Sequence, residues 1–171
     1  MTPNEMKRLA DKIIATGNAM RVAENLEDDL AVPGGPMAKG YEQKLRARER
    51  KIPDSYIDLL KIYNGIKNFD WVDVSLFSAE YLLSHAELDA EWKLEEWASL
   101  VEDEENINVR DLVIFGQSTS DPQLLAFCAS SSNPKKEPEV IDFDKRGVIN
   151  RYDDLYDYLI RRSAWFIDNQ K

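Results

Sequence analysis

The feature that most constrains the fold is a short amphipathic segment, residues 52–65, which carries a structural signal at each end. Pro53 suits the first turn of a helix, because its missing N–H would have no partner there in any case. Apolar side chains then recur at helical spacing, at Tyr56, Leu59, Leu60 and Tyr63. Residues 64–65 are Asn and Gly, which tolerate the left-handed conformation that ends helices. The segment is therefore predicted to be a helix that packs on a core through one face.

The N-terminal residues carry a second helix signal. Thr2 and Glu5 match a capping box, and Pro3 stands at the first helical position. The Gly-Asn pair at residues 17–18 is predicted to end this helix. A second short helix is then expected within residues 19–30.

Prolines and glycines at residues 33–36 form the clearest break in the chain. We therefore expect residues 1–36 to be a helical N-terminal extension and residues 37–171 to be one domain. The full length of 171 residues is ordinary for a single-domain protein.

Beyond the break, the order of predicted elements defines a fold class. Helices are predicted at residues 41–50, 78–83 and 155–166, besides the marked helix. Strands are predicted at residues 71–77, 112–115, 123–128, 140–143 and 148–149. Helices followed by strands and a closing helix favour an α+β fold, with a twisted mixed or antiparallel sheet packed by helices.

Charge and cysteine content narrow the partners and the compartment. The formal net charge is −10, which argues against nucleic acid and anionic membranes as partners and is compatible with a basic protein. Cys128 is the only cysteine, so an internal disulfide is impossible and a reducing compartment is favoured. We see no signal peptide and no apolar run as long as a membrane span, and therefore expect a cytoplasmic protein.

Three features of the sequence are candidates for a catalytic or metal-binding site. His85, the only histidine, stands in no catalytic motif and is predicted to be a surface residue. Cys128 ends an apolar strand without nearby positive charge, which indicates a buried structural thiol. Asp142 and Asp144 lie two apart and have the spacing to hold a hard cation, but a polar strand end leading into a turn is the simpler interpretation. We assign no catalytic, cofactor-binding or metal-binding residue and predict that the protein is not an enzyme.

Residues 87–105 concentrate the negative charge, with nine acidic residues against one lysine. Trp92 and Trp97 are interleaved with them, and tryptophan is common among interface anchors. The alternative is that both tryptophans pack into the core while the carboxylates are merely solvated. The segment is predicted to be a helix with a charged outer face, followed by an acidic loop at residues 102–105.

The order of these features resembles the SUKH superfamily, over residues 41–162. Four features carry the resemblance: the helix of residues 53–65; the strand ending in Leu76-Phe77-Ser78, with Tyr81-Leu82 after it; Asp111-Leu112-Val113-Ile114-Phe115-Gly116, with a polar loop containing Asp121; and residues 140–144, with a closing helix around Tyr156-Asp157-Tyr158-Leu159. The superfamily contains a fungal cell-wall-synthesis regulator and bacterial immunity proteins that neutralise secreted toxins. The resemblance implies a single α+β domain, here residues 37–171, that binds other proteins.

Two functions follow as hypotheses. The first is an immunity protein whose acidic surface occludes a basic toxin domain, with a nuclease as the expected kind of toxin. Its candidate partner-binding residues are Glu91, Trp92, Glu95, Glu96, Glu102, Asp103, Glu104, Glu105 and Asp121. The second is a regulatory or scaffolding adaptor that resembles the fungal branch. The sequence predicts no oligomeric state.

Overall fold

The computed structural model describes residues 1–48, 50–70, 73–84, 107–108, 111–118, 123–128 and 137–168. For residues 165–168 it describes the backbone. Five helices lie within these ranges: α1 (Pro3–Ala23), α2 (Tyr41–Arg46), α3 (Asp54–Ile62), α4 (Ala79–Ser84) and α5 (Leu155–Asp168). The strands there are β1 (Val32–Pro33), β2 (Ile66–Lys67), β3 (Val74–Leu76), β4 (Leu112–Ser118), β5 (Gln123–Cys128), β6 (Glu139–Asp144) and β7 (Gly147–Tyr152). A single 3₁₀ turn, Glu27–Asp29, follows α1.

The seven strands form one sheet in chain order, and each neighbouring pair is antiparallel. This confirms the predicted α+β fold and selects the antiparallel form of the sheet. Pro33 lies in β1 at the edge of the sheet, where its missing N–H removes no internal ladder bond.

The two faces of the sheet follow from the alternation of side chains along each strand. One face packs against α1, α3 and α5 and contributes a buried cluster, which includes Val113, Phe115, Leu125, Phe127 and Val140. The opposite face carries a second buried cluster of Ile107, Leu112, Ile114, Leu124, Ala126, Cys128, Ile141 and Phe143. Because both faces are apolar, β4, β5 and β6 read as nearly continuous hydrophobic runs in the sequence.

An irregularity in β4 sets which side chains reach which face. The register against β5 shifts between Ile114 and Gly116, so Phe115 is an extra residue in β4. Beyond this bulge, Gly116 lies opposite Leu125 on the helix-covered face, and Gln117 lies opposite Leu124 on the second face. A Cβ on Gly116 would stand 3.1 Å from the backbone oxygen of Ser75, so the close strand approach favours glycine.

Helix α3 confirms the prediction for residues 52–65. Tyr56, Leu59 and Leu60 are buried, and Tyr63 is half-buried. Pro53 is the residue before the first helical turn and not part of that turn. The helix ends at Ile62, and Gly65 then adopts a φ of +83°.

The predicted end of the first helix at residues 17–18 is wrong, as is the second helix expected within residues 19–30. Helix α1 continues to Ala23, and only the 3₁₀ turn follows it in that range. Its buried residues, Met6, Ala10, Ile13, Gly17 and Arg21, recur along one face. Packing of this face on α3 and α5 therefore outweighs the intrinsic preference of Gly and Asn to stop a helix.

Other boundaries differ by a few residues. The helix expected over residues 41–50 ends at Arg46, and the Arg48 guanidinium donates a hydrogen bond to the backbone oxygen of Leu82 in α4. The strand expected at residues 71–77 is observed at Val74–Leu76, with residues 71–72 outside the described ranges. The Asp154 carboxylate accepts a hydrogen bond from the Asp157 N–H and so caps α5.

Candidate functional site

The structure does not describe the acidic segment. Its predicted helix and loop, Trp97, His85 and the candidate partner-binding residues lie outside the described ranges: Glu91, Trp92, Glu95, Glu96, Glu102, Asp103, Glu104, Glu105 and Asp121. Along the chain, the acidic segment begins three residues after α4, and Asp121 stands three residues after β4. The acidic segment therefore follows α4 in the chain and Asp121 follows β4, and α4 and β4 both contribute residues to one concave surface.

That surface is a groove of about 430 Å³ where β1, β2 and β3 meet α4, and we call it the sheet groove. It is lined by Val32, Gly34, Asn64, Gly65, Ile66, Lys67, Ser75, Leu76, Phe77, Ser78, Tyr81 and Gln117. The volume lies in the range that accommodates a small ligand or a large side chain of a partner.

Strand register places a row of side chains across the groove. Val32 lies opposite Lys67, and Ser75 lies opposite Gln117. Ile66 and Leu76 are also paired and belong to the helix-covered cluster, so the row points to the other face of the sheet. The groove is therefore a polar and partly apolar continuation of the second face.

Aromatic rings form one wall of the sheet groove. The rings of Phe77 and Tyr81 lie with centroids 4.3 Å apart at an angle of 41°. The single O–H of the buried Tyr56 is shared between two acceptors, the backbone oxygens of Phe77 at 2.8 Å and Phe115 at 3.1 Å. Burial raises the pKa of this phenol, so it remains a donor. The wall is thus attached to the main core through helix α3.

Hydrogen bonds around Asn64 join the ends of three elements beside the groove. The Asn64 side-chain oxygen accepts from the Ala79 N–H at 2.7 Å, which caps α4. Its amide nitrogen donates to the Glu80 carboxylate at 2.7 Å. The Gly34 N–H donates to the Gly65 oxygen at 2.8 Å, and a Cβ on Gly34 would lie 2.5 Å from the Asn64 oxygen. The end of the N-terminal extension is therefore held closely against the end of α3.

Lys67 is the one charged side chain among the described residues that line the groove. It is exposed, and its ammonium group makes no hydrogen bond or ion pair with the described part of the chain. Gln117 similarly has no side-chain hydrogen bond there, whereas the Ser75 hydroxyl accepts one from the Asn68 N–H at 3.0 Å. The groove thus presents a cation and an amide to any ligand that enters it.

A second group of charged residues is buried or half-buried, and we call it the ion cluster: Arg21, Asp70, Asp73, Asp142 and Arg162. Arg21 in α1 is 1% exposed. Its guanidinium donates to the backbone oxygen of Asp70 and to the Asp73 carboxylate, the latter at 3.0 Å. Arg162 in α5 lies 3.1 Å from the Asp142 carboxylate and 3.5 Å from the Asp70 carboxylate. The cluster therefore connects α1, α5, β6 and the loop before β3.

Asp142 has further partners in the sheet. The Gln123 amide donates to one carboxylate oxygen, and the Asn150 amide donates to the other at 3.2 Å. Burial raises the pKa of the Asp142 carboxyl, although these hydrogen bonds and the Arg162 charge act in the opposite direction. Asp144 lies 2.6 Å from the Arg146 guanidinium. The two carboxylates considered as cation ligands thus each contact an arginine.

The cysteine, the possible metal ligands and the helix lengths were each relevant to the predicted class of protein. Cys128 is buried at the end of β5, as predicted. In the part of the chain that the structure describes, no group of three or more His, Cys, Asp or Glu side chains is arranged to hold a metal ion. The helices of that part also include none with the length and apolar character needed to cross a bilayer.

A seven-stranded antiparallel sheet with helices on one face defines a single-domain α+β protein. Its described residues also form the ion cluster and the sheet groove. Residues 39–161 match the model of a protein family described as the SMI1 / KNR4 family (SUKH-1). Because the match spans more than half of the chain, this protein belongs to that family. The family includes toxin-immunity proteins and fungal regulators, and its members bind protein partners. No curated protein matches the chain.

The groove residues Lys67 and Gln117 were not identified from the sequence. The signal available was weak, since a polar residue in a short strand is ordinary. Phe77 and Tyr81 were noted as part of the family pattern, and their separation of four residues is the one clue to a shared wall. The ion cluster had no local signal, because Arg21 and Arg162 come from opposite ends of the chain.

Proposed function

We propose that this protein is an immunity protein, which binds a cytotoxic effector domain and blocks the cationic surface that the effector uses on its substrate. The observation that carries the proposal is the concentration of charge in a member of this family: nine acidic residues against one lysine within residues 87–105. Carboxylates in such density match the phosphate-binding surface of a nuclease, and complementary charge accelerates association and selects partners.

The proposed binding residues are the acidic and aromatic side chains predicted from the sequence: Glu91, Trp92, Glu95, Glu96, Glu102, Asp103, Glu104, Glu105 and Asp121. The proposed mechanism is occlusion of the effector's surface, in which this protein catalyses no reaction. We propose that it acts in the cytoplasm. We further propose that residues 1–36 are an addition to the family domain of residues 37–171.

Co-expression with the toxin encoded beside this gene tests the proposal. We expect the wild-type protein to restore growth of cells that produce the toxin. A variant with residues 102–105 neutralised (E102Q, D103N, E104Q and E105Q) should restore growth far less. The matched control neutralises four exposed acids after α1: E24Q, E27Q, D28N and D29N. Absence of rescue by the wild type would count strongly against the proposal.

A pull-down from host lysate distinguishes an immunity protein from a regulatory adaptor, the two kinds of protein found in this family. A single tight partner that elutes with rising salt supports an electrostatic inhibitor, because salt screens exposed charge pairs. Several weak partners that the acidic substitutions leave unchanged would instead indicate a regulatory adaptor.

A further inference from the structure

We propose that the sheet groove binds a short segment of a partner protein that presents a large apolar side chain next to a carboxylate. The proposal concerns a different surface from the acidic segment and does not depend on the identity of a toxin. It rests on the shape of the groove, its aromatic wall and the charge of its lining.

The apolar half of the groove is suited to a single large side chain. Its apolar lining includes Val32, which is 59% exposed, and the paired rings of Phe77 and Tyr81. Large aromatic or aliphatic anchors that enter such pockets supply much of the affinity of protein interfaces. Because Tyr56 and Asn64 hold the wall through buried and capping hydrogen bonds, the pocket is formed before a ligand arrives.

The polar half selects the charge next to that anchor. Lys67 is the charged lining residue in the described part of the chain, and its ammonium group has no carboxylate partner there. The lining of the groove in the described part of the chain is therefore positively charged, although the net charge of the whole chain is −10. A carboxylate on the ligand complements Lys67, and Gln117 can hydrogen-bond either the carboxylate or the peptide backbone.

Fluorescence polarisation with labelled pentapeptides tests this assignment. The probe is Gly-Ser-Gly-Phe-Glu with an amidated C-terminus. The comparison peptides are Gly-Ser-Gly-Phe-Lys, which reverses the charge, and Gly-Ser-Gly-Gly-Glu, which removes the anchor. We expect saturable binding of the probe, with binding about fivefold weaker for the lysine peptide, the ratio of an exposed ion pair. The glycine peptide should show no measurable binding.

A charge-swap variant connects the effect to Lys67. Lys67→Glu should weaken binding of the Phe-Glu peptide about fivefold and strengthen binding of the Phe-Lys peptide. Lys39→Glu makes the same charge change at an exposed lysine outside the groove and should change neither. Amide shifts of Lys67, Ser75 and Gln117 in ¹H–¹⁵N spectra of the wild-type protein should move on titration with the probe.

Three results would overturn the proposal. They are equal effects of K67E and K39E, amide shifts confined to residues outside the groove, or no saturation by millimolar peptide. A sizing column with light scattering tests whether a second copy of this chain occupies the groove instead of a peptide. If the wild type is a dimer that K67E converts to a monomer, the groove binds a second copy of this chain and the peptide assignment is wrong.

Discussion

The ion cluster and the sheet groove use charged side chains in opposite ways. In the cluster, Arg21 is buried and Arg162 half-buried among carboxylates and backbone oxygens supplied by distant parts of the chain. In the groove, Lys67 is exposed opposite Val32 and has no ion-pair partner in the described residues. A buried charge that loses its partner is strongly destabilising, whereas an exposed charge contributes little to stability. Charge in the first region therefore supports folding, and charge in the second region is available for binding.

Deleting residues 1–36 should have the largest effect, because it removes Arg21 from the cluster and the packing of α1 on α5. We expect the truncated chain to lose its cooperative thermal transition, as measured by circular dichroism. Ile13→Asp should reproduce much of this, lowering the free energy of unfolding by about 3 kcal/mol or more, because it places a carboxylate in the main core. Val22→Asp, on the exposed side of α1, is the matched control. Normal cooperative unfolding of the truncated chain would show that the cluster and α1 are dispensable.

Arg162→Met should have the next largest effect. It removes the guanidinium that lies 3.1 Å from the buried Asp142 carboxylate and 3.5 Å from the buried Asp70 carboxylate, which costs about 3–5 kcal/mol. Arg161→Met is the control, since Arg161 is its neighbour in the chain but pairs with Asp157 at the surface and should contribute less than about 1 kcal/mol. Urea denaturation measures both. Similar values for the two variants would contradict a stabilising role for the cluster.

The pH dependence of stability should distinguish Asp142 from Asp144. Burial raises the pKa of Asp142, so the folded protein retains this proton to a higher pH than the unfolded chain does. The stability contributed by Asp142 therefore falls as pH rises above the unfolded pKa of about 4. We expect the difference in unfolding free energy between wild type and D142N to decrease from about pH 4 to neutral pH.

Asp144 should behave in the opposite way. Burial acts to raise its pKa, but the hydrogen bonds from Arg146 outweigh burial and lower it. Its contribution is present above the unfolded pKa and is lost as pH falls, so wild type and D144N should converge in acid. Urea titrations of both variants across this range give the two slopes, and slopes of equal sign would refute this account.

Lys67→Met should have the smallest effect on stability. Because Lys67 is exposed and unpaired in the described structure, we expect the free energy of unfolding to change by less than about 0.5 kcal/mol. The same urea denaturation used for Arg162→Met measures it. A loss comparable to that of Arg162→Met would show that the groove lysine serves folding, and the contrast between the two regions would disappear.

Local signals predicted much of the fold. The apolar face and the end of α3, the positions of α4 and α5 and the strands β4 to β6 all follow from residues close together in the chain. Predictions failed where tertiary contacts outweigh local preference. Helix α1 continues through residues 17–18 because Gly17 and Arg21 lie on its packed face.

The sequence by itself determined the fold class, the apolar runs that become strands and the concentration of charge, because these depend on composition and on periodicities of two and 3.6 residues. The tertiary structure alone decided that Arg21 and Arg162 meet the same carboxyl-bearing region, and that a β4 bulge brings Gln117 beside Ser75. The physical reason is that burial and pairing of a charge depend on residues far away in the chain. No pattern around Lys67 or Arg162 shows that one is solvated and free while the other is enclosed and paired.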